Sequence, residues 1–495
     1  MLLSGKNLLM DYNKLYISKE DETHIIVGCE LSTAKELYEY FTFYVPGYKF
    51  MPAYQNRMWD GKIRLYNPNT RKIYAGLLPH VERFAHKNGY EVEYDSSIES
   101  NDEFSMKEAH DFSKSLGAPF EARDYQLKAF AHSVRNRRSL LLSPTASGKS
   151  FIIYHLVRWY NAKTLVIVPT TSLVHQLVSD FKDYGWTADD YCHKIMAGED
   201  KHSDKQVIVS TWQSIYKMPK KYFEQFDVVI GDEAHLFKAK SLMSILEKLG
   251  ECKYRFGLTG TLDGSQTHKL VLEGLFGEVK QVTQTKELID GGQLAKFKIK
   301  ALILSYPENI RKQVKNYKYA EEVDFLVTNE ARNKFIKNLA LSLEGNTLLL
   351  YQFVDKHGSK LYDLISKSVE EGRKVFFIHG STHADDREQV RSIVEREKNA
   401  IIIASYGTFS TGVNIKNLHT VVFTSPSKSK IRTLQSIGRG LRKSDTKTES
   451  TLIDIADDLS SGSKKNYTIQ HFSERMKMYN EEGFEYKIYK INIKG

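Results

Sequence analysis

The 495-residue chain is 41% hydrophobic, carries a formal net charge of +10 with a pI near 9.0, and has only ten prolines, which excludes a disordered or low-complexity protein and predicts three or four folded domains. Its apolar runs fall short of the ~20 residues of a membrane helix, and MLLSGKNLLMDY lacks a signal-peptide core, so the expectation is a soluble cytoplasmic protein with no membrane partner. Cys29, Cys192 and Cys252 lie far apart, without the spacing of a zinc or iron site or a disulfide framework, while the positive charge suits a polyanion and equally fits a merely soluble basic protein.

Residues 1–105 form a first block of mixed strand and helix patterns. Segment 62–66 (KIRLY) alternates like a strand, and Asp60-Gly61 before it signals a turn. Between 55 and 90, Arg57, Lys62, Arg64, Arg71, Lys72, Arg83 and Lys87 face only Asp60 and Glu82 as acids, with Tyr54, Trp59, Tyr66 and Tyr74 interleaved. Such a stretch either binds nucleic acid, with Arg57, Trp59, Lys62 and Arg64 as contacts, or is an aromatic core with a solvated basic face. Segment 101–116 reads as a polar linker entering a helix.

Residues 106–290 alternate apolar strands with helices. Strands are expected at 139–142, 164–168, 206–209, 226–230 and 254–258, the pattern of βαβ units and a buried parallel sheet. Asp290-Gly291-Gly292 marks a boundary. Residues 291–455 repeat the rhythm, with strands at 297–304, 347–351, 374–378, 400–404 and 420–424 and helices near 330–343, 358–370 and 385–396. The extension 456–495 is charged, helical at first, and ends in an alternating segment, a packing or docking element. The class is α/β: two parallel-sheet lobes, a small α/β N-terminal domain and a short C-terminal extension.

Ser143-Pro144-Thr145-Ala146-Ser147-Gly148-Lys149-Ser150 follows an apolar strand and precedes an apolar helix. That setting cradles phosphate, because backbone N–H groups and the helix N-terminus meet the oxygens. Lys149 is placed to reach the outer phosphates of ATP and Ser150 to ligate Mg2+. The first glycine of the usual loop is replaced by Ser143. After the strand FDVVI, Asp232 is placed to hold Mg2+ and Glu233 to orient and deprotonate the attacking water. Arg123 and Gln126, just upstream, are suited to hydrogen-bond an adenine edge.

This ordered series resembles the superfamily 2 helicases. Arg123-Asp124-Tyr125-Gln126 is similar to their adenine-reading motif, 143–150 to motif I, 168–176 to Ia, 209–215 to Ib and Asp232-Glu233-Ala234-His235 to motif II. Leu258-Thr259-Gly260-Thr261 is similar to motif III, Tyr351-Gln352-Phe353 to IV, 404–415 to V, and Gln435-Ser436-Ile437-Gly438-Arg439-Gly440-Leu441-Arg442 to VI. The DEAH letters suggest the DEAH-box RNA helicases, but the short stretch after Arg442 is not what their large C-terminal extensions lead one to expect. The STGVN and RDYQ forms, the length and the WDGKIRLYN segment are closer to branched-DNA remodelling helicases, including those of T4-like phages. Two positions depart from many relatives: Ala146 stands where they have glycine, and Asn414 where they have aspartate.

The resemblance implies two RecA-like lobes closing on one ATP. Lys149, Ser150, Asp232 and Glu233 would come from the first. Arg439 and Arg442 would come from the second and stabilise the transferring phosphoryl group, with Gln435 also at the nucleotide. Thr259 and Thr261 would couple nucleotide state to the track. Pro169, Thr170, Thr171 and Thr211, then Gln352, Gly380, Thr408 and Gly412, would touch phosphates without reading sequence. The implied partner is branched or forked DNA, with single-strand-binding or recombination proteins alongside, in the host cytoplasm for a phage protein. An RNA or RNA–DNA hybrid helicase and a DNA-stimulated translocase that separates no strands remain alternatives.

Overall fold

In the computed structural model, the described residues are 13–493 except 263, 413, 414, 416, 427, 428, 430–432, 434, 435 and 439–448. The chain divides into two compact units, the main break falling after Val282, with loop 144–147 grouped with the second.

The first unit holds two larger sheets and a two-stranded ribbon. The N-terminal one has four strands in the order Lys72–Tyr74, His24–Gly28, Lys14–Lys19, Glu91–Tyr94. Its apolar positions alternate, so Leu15, Ile17, Ile25 and Val27 are buried on one face. A separate ribbon pairs Thr42–Tyr44 with Lys62–Arg64, and Tyr66, at the end of the alternating segment, makes an isolated antiparallel bridge to Ile73. The polar linker leads into helix Met106–Ser115, whose start Ser105 and Glu108 fix with a reciprocal capping box.

The second sheet of this unit has seven parallel strands, in the order Val279–Gln281, Arg138–Leu142, Tyr254–Thr259, Val228–Asp232, Thr164–Val168, Val207–Thr211, Cys192–Ile195. The five interior strands are those the apolar runs predict. The two edge strands are short and half-polar, and carry no such run.

The N-terminal block shares one hydrophobic core with this sheet. Leu15, Ile25, Leu77 and Val81 lie in the same buried cluster as Leu140, Leu246, Leu272 and Phe276. Arg255 is fully buried there and donates to the carbonyls of Leu246 and Cys252, each at 3.2 Å, to that of Leu249, and to Thr23 Oγ1 at 2.8 Å. His80 bonds Glu273 at 2.8 Å and Tyr74 bonds Glu247 at 2.6 Å. Gly76 sits so close to helix Gln266–Phe276 that a Cβ would lie 2.1 Å from the Glu273 carbonyl oxygen. An attached accessory domain is thus continuous with the lobe it serves.

The second unit is one seven-stranded parallel sheet, in the order Val375–Ile378, Ile401–Ser405, Thr347–Tyr351, Thr420–Phe423, Glu449–Asp458, Lys296–Ser305, Tyr486–Asn492. Two features differ from the sequence expectation. The 455/456 boundary falls inside strand Glu449–Asp458, whose Asp454 and Asp457 hide it from an apolar-run reading. The extension's last strand joins the same sheet, in parallel register with Lys296–Ser305. Helix Tyr467–Glu481 is pinned to the sheet by Arg475, bidentate to Asp454 at 2.9 and 2.8 Å, and by the Tyr479 hydroxyl at 2.8 Å. Arg332 grips Asp457 in the same way at 2.8 and 2.9 Å, and Tyr306 adds a bond of 2.7 Å.

Candidate functional site

Parallel register brings the candidate residues of the first unit to one edge of its sheet. Thr259 is opposite Leu142, Asp232 opposite Leu258, and Thr211 opposite Val168. Ser143, Asp232, Thr259, Thr211 and Pro169 therefore all lie at carboxyl ends of strands, where open α/β sheets bind ligands.

The 143–150 loop is built as a cradle. Ser143 is fully buried, and its N–H donates to the Thr259 carbonyl at 2.8 Å. Pro144, Thr145 and Ala146 make the bend, closed by Ser147, whose N–H and hydroxyl both donate to the Pro144 carbonyl at 3.2 and 2.7 Å. Gly148 has φ +81°, and its carbonyl accepts from Gln126 Nε2 at 3.4 Å. The positive φ favours glycine here, and a Cβ would also lie 2.4 Å from that nitrogen and displace the Gln126 amide. Gln126 Oε1 accepts the Arg123 N–H at 2.9 Å, and the Arg123 guanidinium donates to the Tyr125 hydroxyl at 2.7 Å. Arg123 is thus linked through Gln126 to the 143–150 loop. Helix Lys149–Tyr160 starts at Gly148, and Lys149 Nζ donates to the Ser143 carbonyl at 3.4 Å.

Ala146 is not the neutral replacement its small side chain suggests. Its φ is +66°, the left-handed region that glycine occupies without penalty. The loop carries backbone strain at this alanine.

Asp232 ends its strand, and its carboxylate accepts the Glu233 N–H at 2.9 Å. Burial and the neighbouring Glu233 push the Asp232 carboxyl up to about 6, against the pull of Lys149 and His235. Glu233 has φ +51°, which turns the chain sharply after the strand. His235 Nδ1 lies 3.3 Å from Glu233 Oε2 and 2.9 Å from Thr259 Oγ1. Thr259 Oγ1 donates to the Thr261 carbonyl at 3.1 Å. A continuous chain of contacts thus runs from Glu233 through His235 and Thr259 to the backbone of Ser143.

Two residues of this site carry no role in the sequence reading. His235 belongs to the DEAH tetrapeptide, which was the available signal. Tyr184, whose hydroxyl lies 2.7 Å from Ser150 Oγ across 34 positions of chain, had none. As a Mg2+ site, the donors present are one hydroxyl, Ser150, and one carboxylate, Asp232. They fit an ion that takes its remaining ligands from nucleotide oxygens and water. Asp232, crowded by Glu233 and partly stripped of water, gains from a nearby cation. Among the described residues no cluster of three or more His, Cys, Asp or Glu forms an all-protein metal site.

The candidate track residues fall into two kinds. Thr171 and Gln352 are exposed after their strands, Gly380 likewise, and Pro169 and Thr170 are partly exposed. Thr170 caps helix Thr171–Asp183. Thr211 and Thr408 are buried and keep their hydroxyls on Ser214 and Ser405, at 2.9 and 2.8 Å. Gly412 ends helix Tyr406–Gly412. Asn414, Gln435, Arg439 and Arg442 lie outside the described residues. In the N-terminal block the basic and aromatic stretch splits. Tyr66 is buried and Tyr74 faces Glu247, so both serve the core. Arg64 pairs with Asp60 and Tyr38, Lys62 lies 4.9 Å over the Tyr44 ring, and Trp59 Nε1 donates to the Lys62 carbonyl at 2.9 Å. Arg57 is exposed, with φ +56°.

Three families match the chain: DNA helicase UvsW, N-terminal, over residues 11–95; Type III restriction enzyme, res subunit, over 119–264; and Helicase conserved C-terminal domain, over 330–444. With the two parallel sheets, these matches make the chain an ATP-hydrolysing helicase with two RecA-like lobes. The ATP-dependent DNA helicase uvsW of Enterobacteria phage T4 is 36% identical, over 96% of this chain and 98% of its own length. The DNA 3'-5' translocase XPB2 of Sulfurisphaera tokodaii is 26% identical, over 68% of this chain and 81% of its own. A crystal structure of T4 UvsW, at 33% identity, covers 97% of this chain and all of that chain with a TM-score of 0.50. The chain belongs to the UvsW family of helicases.

Proposed function

We propose that this helicase uses ATP to remodel branched DNA, unwinding forks and four-way junctions or migrating their branch points, in recombination, repair and replication. The observation that carries the reading is the N-terminal block, matched to the UvsW N-terminal family and sharing a core with the ATPase sheet. A module fused so closely to the motor moves with it, which suits a part that meets DNA structure rather than one that recruits the motor from a distance. The surplus of Lys and Arg supplies sequence-independent affinity for phosphates.

In this reading the helix N-terminus at Gly148–Lys149 and the Lys149 ammonium hold the phosphates, while Arg123 and Gln126 face the base. Mg2+, when bound, neutralises phosphate charge, and Ser150 and Asp232 hold it. Glu233 orients the attacking water, and His235 and Thr259 transmit its position towards Ser143. Thr261 joins Thr259 in that coupling. Arg439 and Arg442, assigned from motif spacing, stabilise charge on the transferring phosphoryl group, with Gln435 beside them. Pro169, Thr170, Thr171, Gln352, Gly380 and Gly412 touch the strand, with Thr211 and Thr408 shaping their loops. Arg57, Trp59, Lys62 and Arg64 belong to the branch-recognising surface. No helix of the described residues is long and apolar enough to cross a membrane. The T4 relative favours the host cytoplasm as the compartment, with recombination and single-strand-binding proteins as neighbours.

The test compares ATPase stimulation and strand separation on linear duplex, fork, four-way junction, RNA–DNA hybrid and RNA duplex. Stimulation and remodelling greatest on forks and junctions are expected, and preference for RNA would overturn the reading. Lys149→Ala should cut turnover at least ~100-fold while DNA binding persists, because phosphate positioning is lost and the DNA surface is untouched.

A further inference from the structure

Between the paired strands Thr42–Tyr44 and Lys62–Arg64, the chain makes an excursion over residues 45–61. Its interior is tied into one shape. Tyr44 stacks on Tyr48 at 4.7 Å, and Tyr54 meets Tyr48 edge-on at 4.8 Å. Gly61, at φ +82°, lies against the Tyr48 ring so closely that a Cβ would be 2.3 Å from it. Val45 N–H donates to the Gly61 carbonyl at 2.9 Å and Met58 N–H to the Ala53 carbonyl at 2.8 Å.

This ordered loop holds apolar side chains out in water. Phe50 is 83% exposed and Met58 75%. Each directly follows a cation, Lys49 and Arg57, so a basic–apolar pair occurs twice on one excursion. The excursion's single acid, Asp60, is engaged by Arg64. The exposed side chains of the excursion are therefore apolar and cationic together. An occupant complementary to it carries a flat apolar face flanked by negative charge, which is the end of a base stack between phosphates.

We propose that excursion 45–61 is a wedge seated at the branch point. Phe50 and Met58 pack on the base pair where the strands part, and Lys49 and Arg57 hold the adjoining phosphates. The proposal rests on the DNA reading above and adds the atoms that open the junction. Apolar side chains set against a base step unstack it, and rigidity of the loop spares the entropy of ordering it on binding.

The experiment places 2-aminopurine in the pair next to a fork and compares the wild type with Phe50→Ala/Met58→Ala. The wild type should raise the fluorescence on binding without ATP. The double variant should lose that rise and unwind the fork ~10-fold more slowly, with single-strand-stimulated ATPase within about twofold of wild type. A variant that keeps the rise overturns the wedge, as does a wild type that forks stimulate but that gives no rise. No stimulation by any DNA would instead refute the underlying reading. Should the double variant misfold, Phe50→p-benzoylphenylalanine gives the answer by photocrosslinking. Adducts at branch nucleotides support the wedge, whereas adducts only in remote duplex, only with an added recombination protein, or none at all overturn it.

Discussion

The two seven-stranded sheets share an architecture but hold their appendages by different forces. The first absorbs the N-terminal block mainly through an apolar core, with Arg255 bonding neutral oxygens and polar ties such as His80 to Glu273 around it. The second absorbs the C-terminal extension through an added edge strand and a buried ion pair, Arg475 with Asp454, beside the equivalent Arg332 with Asp457. Apolar burial is forgiving in direction and tolerates small shifts. A bidentate pair fixes one geometry and is costly when half of it is removed. The first arrangement seats a broad module, whereas the second locks one helix in one register.

The largest break in this comparison is expected from Arg475→Ala. It leaves Asp454 buried and uncompensated and should cost the second unit ~3–5 kcal/mol, measured by denaturant unfolding, with the first unit's transition unmoved. Gly76→Ala attacks the apolar counterpart by forcing a methyl into the Glu273 backbone. A loss of ~1–3 kcal/mol is expected, confined to the first unit, since overpacking a tight contact shifts neighbours rather than stranding a charge. Equal losses from the two variants would mean that the two appendages are held alike.

Asp232→Asn sharpens the contrast by removing a buried charge that nothing in the ligand-free fold fully compensates. The folded carboxyl sits at about 6 against an ordinary 3.8. The folded state therefore holds its proton more tightly than the unfolded chain, and stability falls as pH rises from about 3.8 to about 6. The ligand-free variant should melt above the wild type at pH 8, with the difference closing near pH 4, while its turnover is lost. Equal melting at both pH values would show that the strand end carries no such penalty. The smallest effect is expected from Ala146→Gly, which removes a left-handed alanine worth ~1 kcal/mol. A small rise in melting temperature with ATPase retained is the expected result.

The five interior strands of the first sheet were legible because parallel strands buried on both faces read as apolar runs. The edge strands Cys192–Ile195 and Val279–Gln281 were not, being short and half-polar. Strand Glu449–Asp458 was hidden by Asp454 and Asp457, whose burial depends on arginines outside it. The same division holds at the site. The phosphate loop and the Asp232–Glu233 pair are local stretches of chain, and a sequence displays them whole. Tyr184 on Ser150, and the burial of Tyr66 and the Tyr74–Glu247 contact, are products of packing between distant segments.

The strand Tyr486–Asn492 has a consequence for synthesis. Its partner, Lys296–Ser305, leaves the ribosome long before it and must wait, one edge unpaired, until residue 492 appears. At ~5–20 residues per second this delay is on the order of ten seconds or more. The first unit, whose chain is complete by Val282, can mature during that interval. A truncation just short of Tyr486 should thus release a ripened front half and a back half with an open, adhesive β-edge.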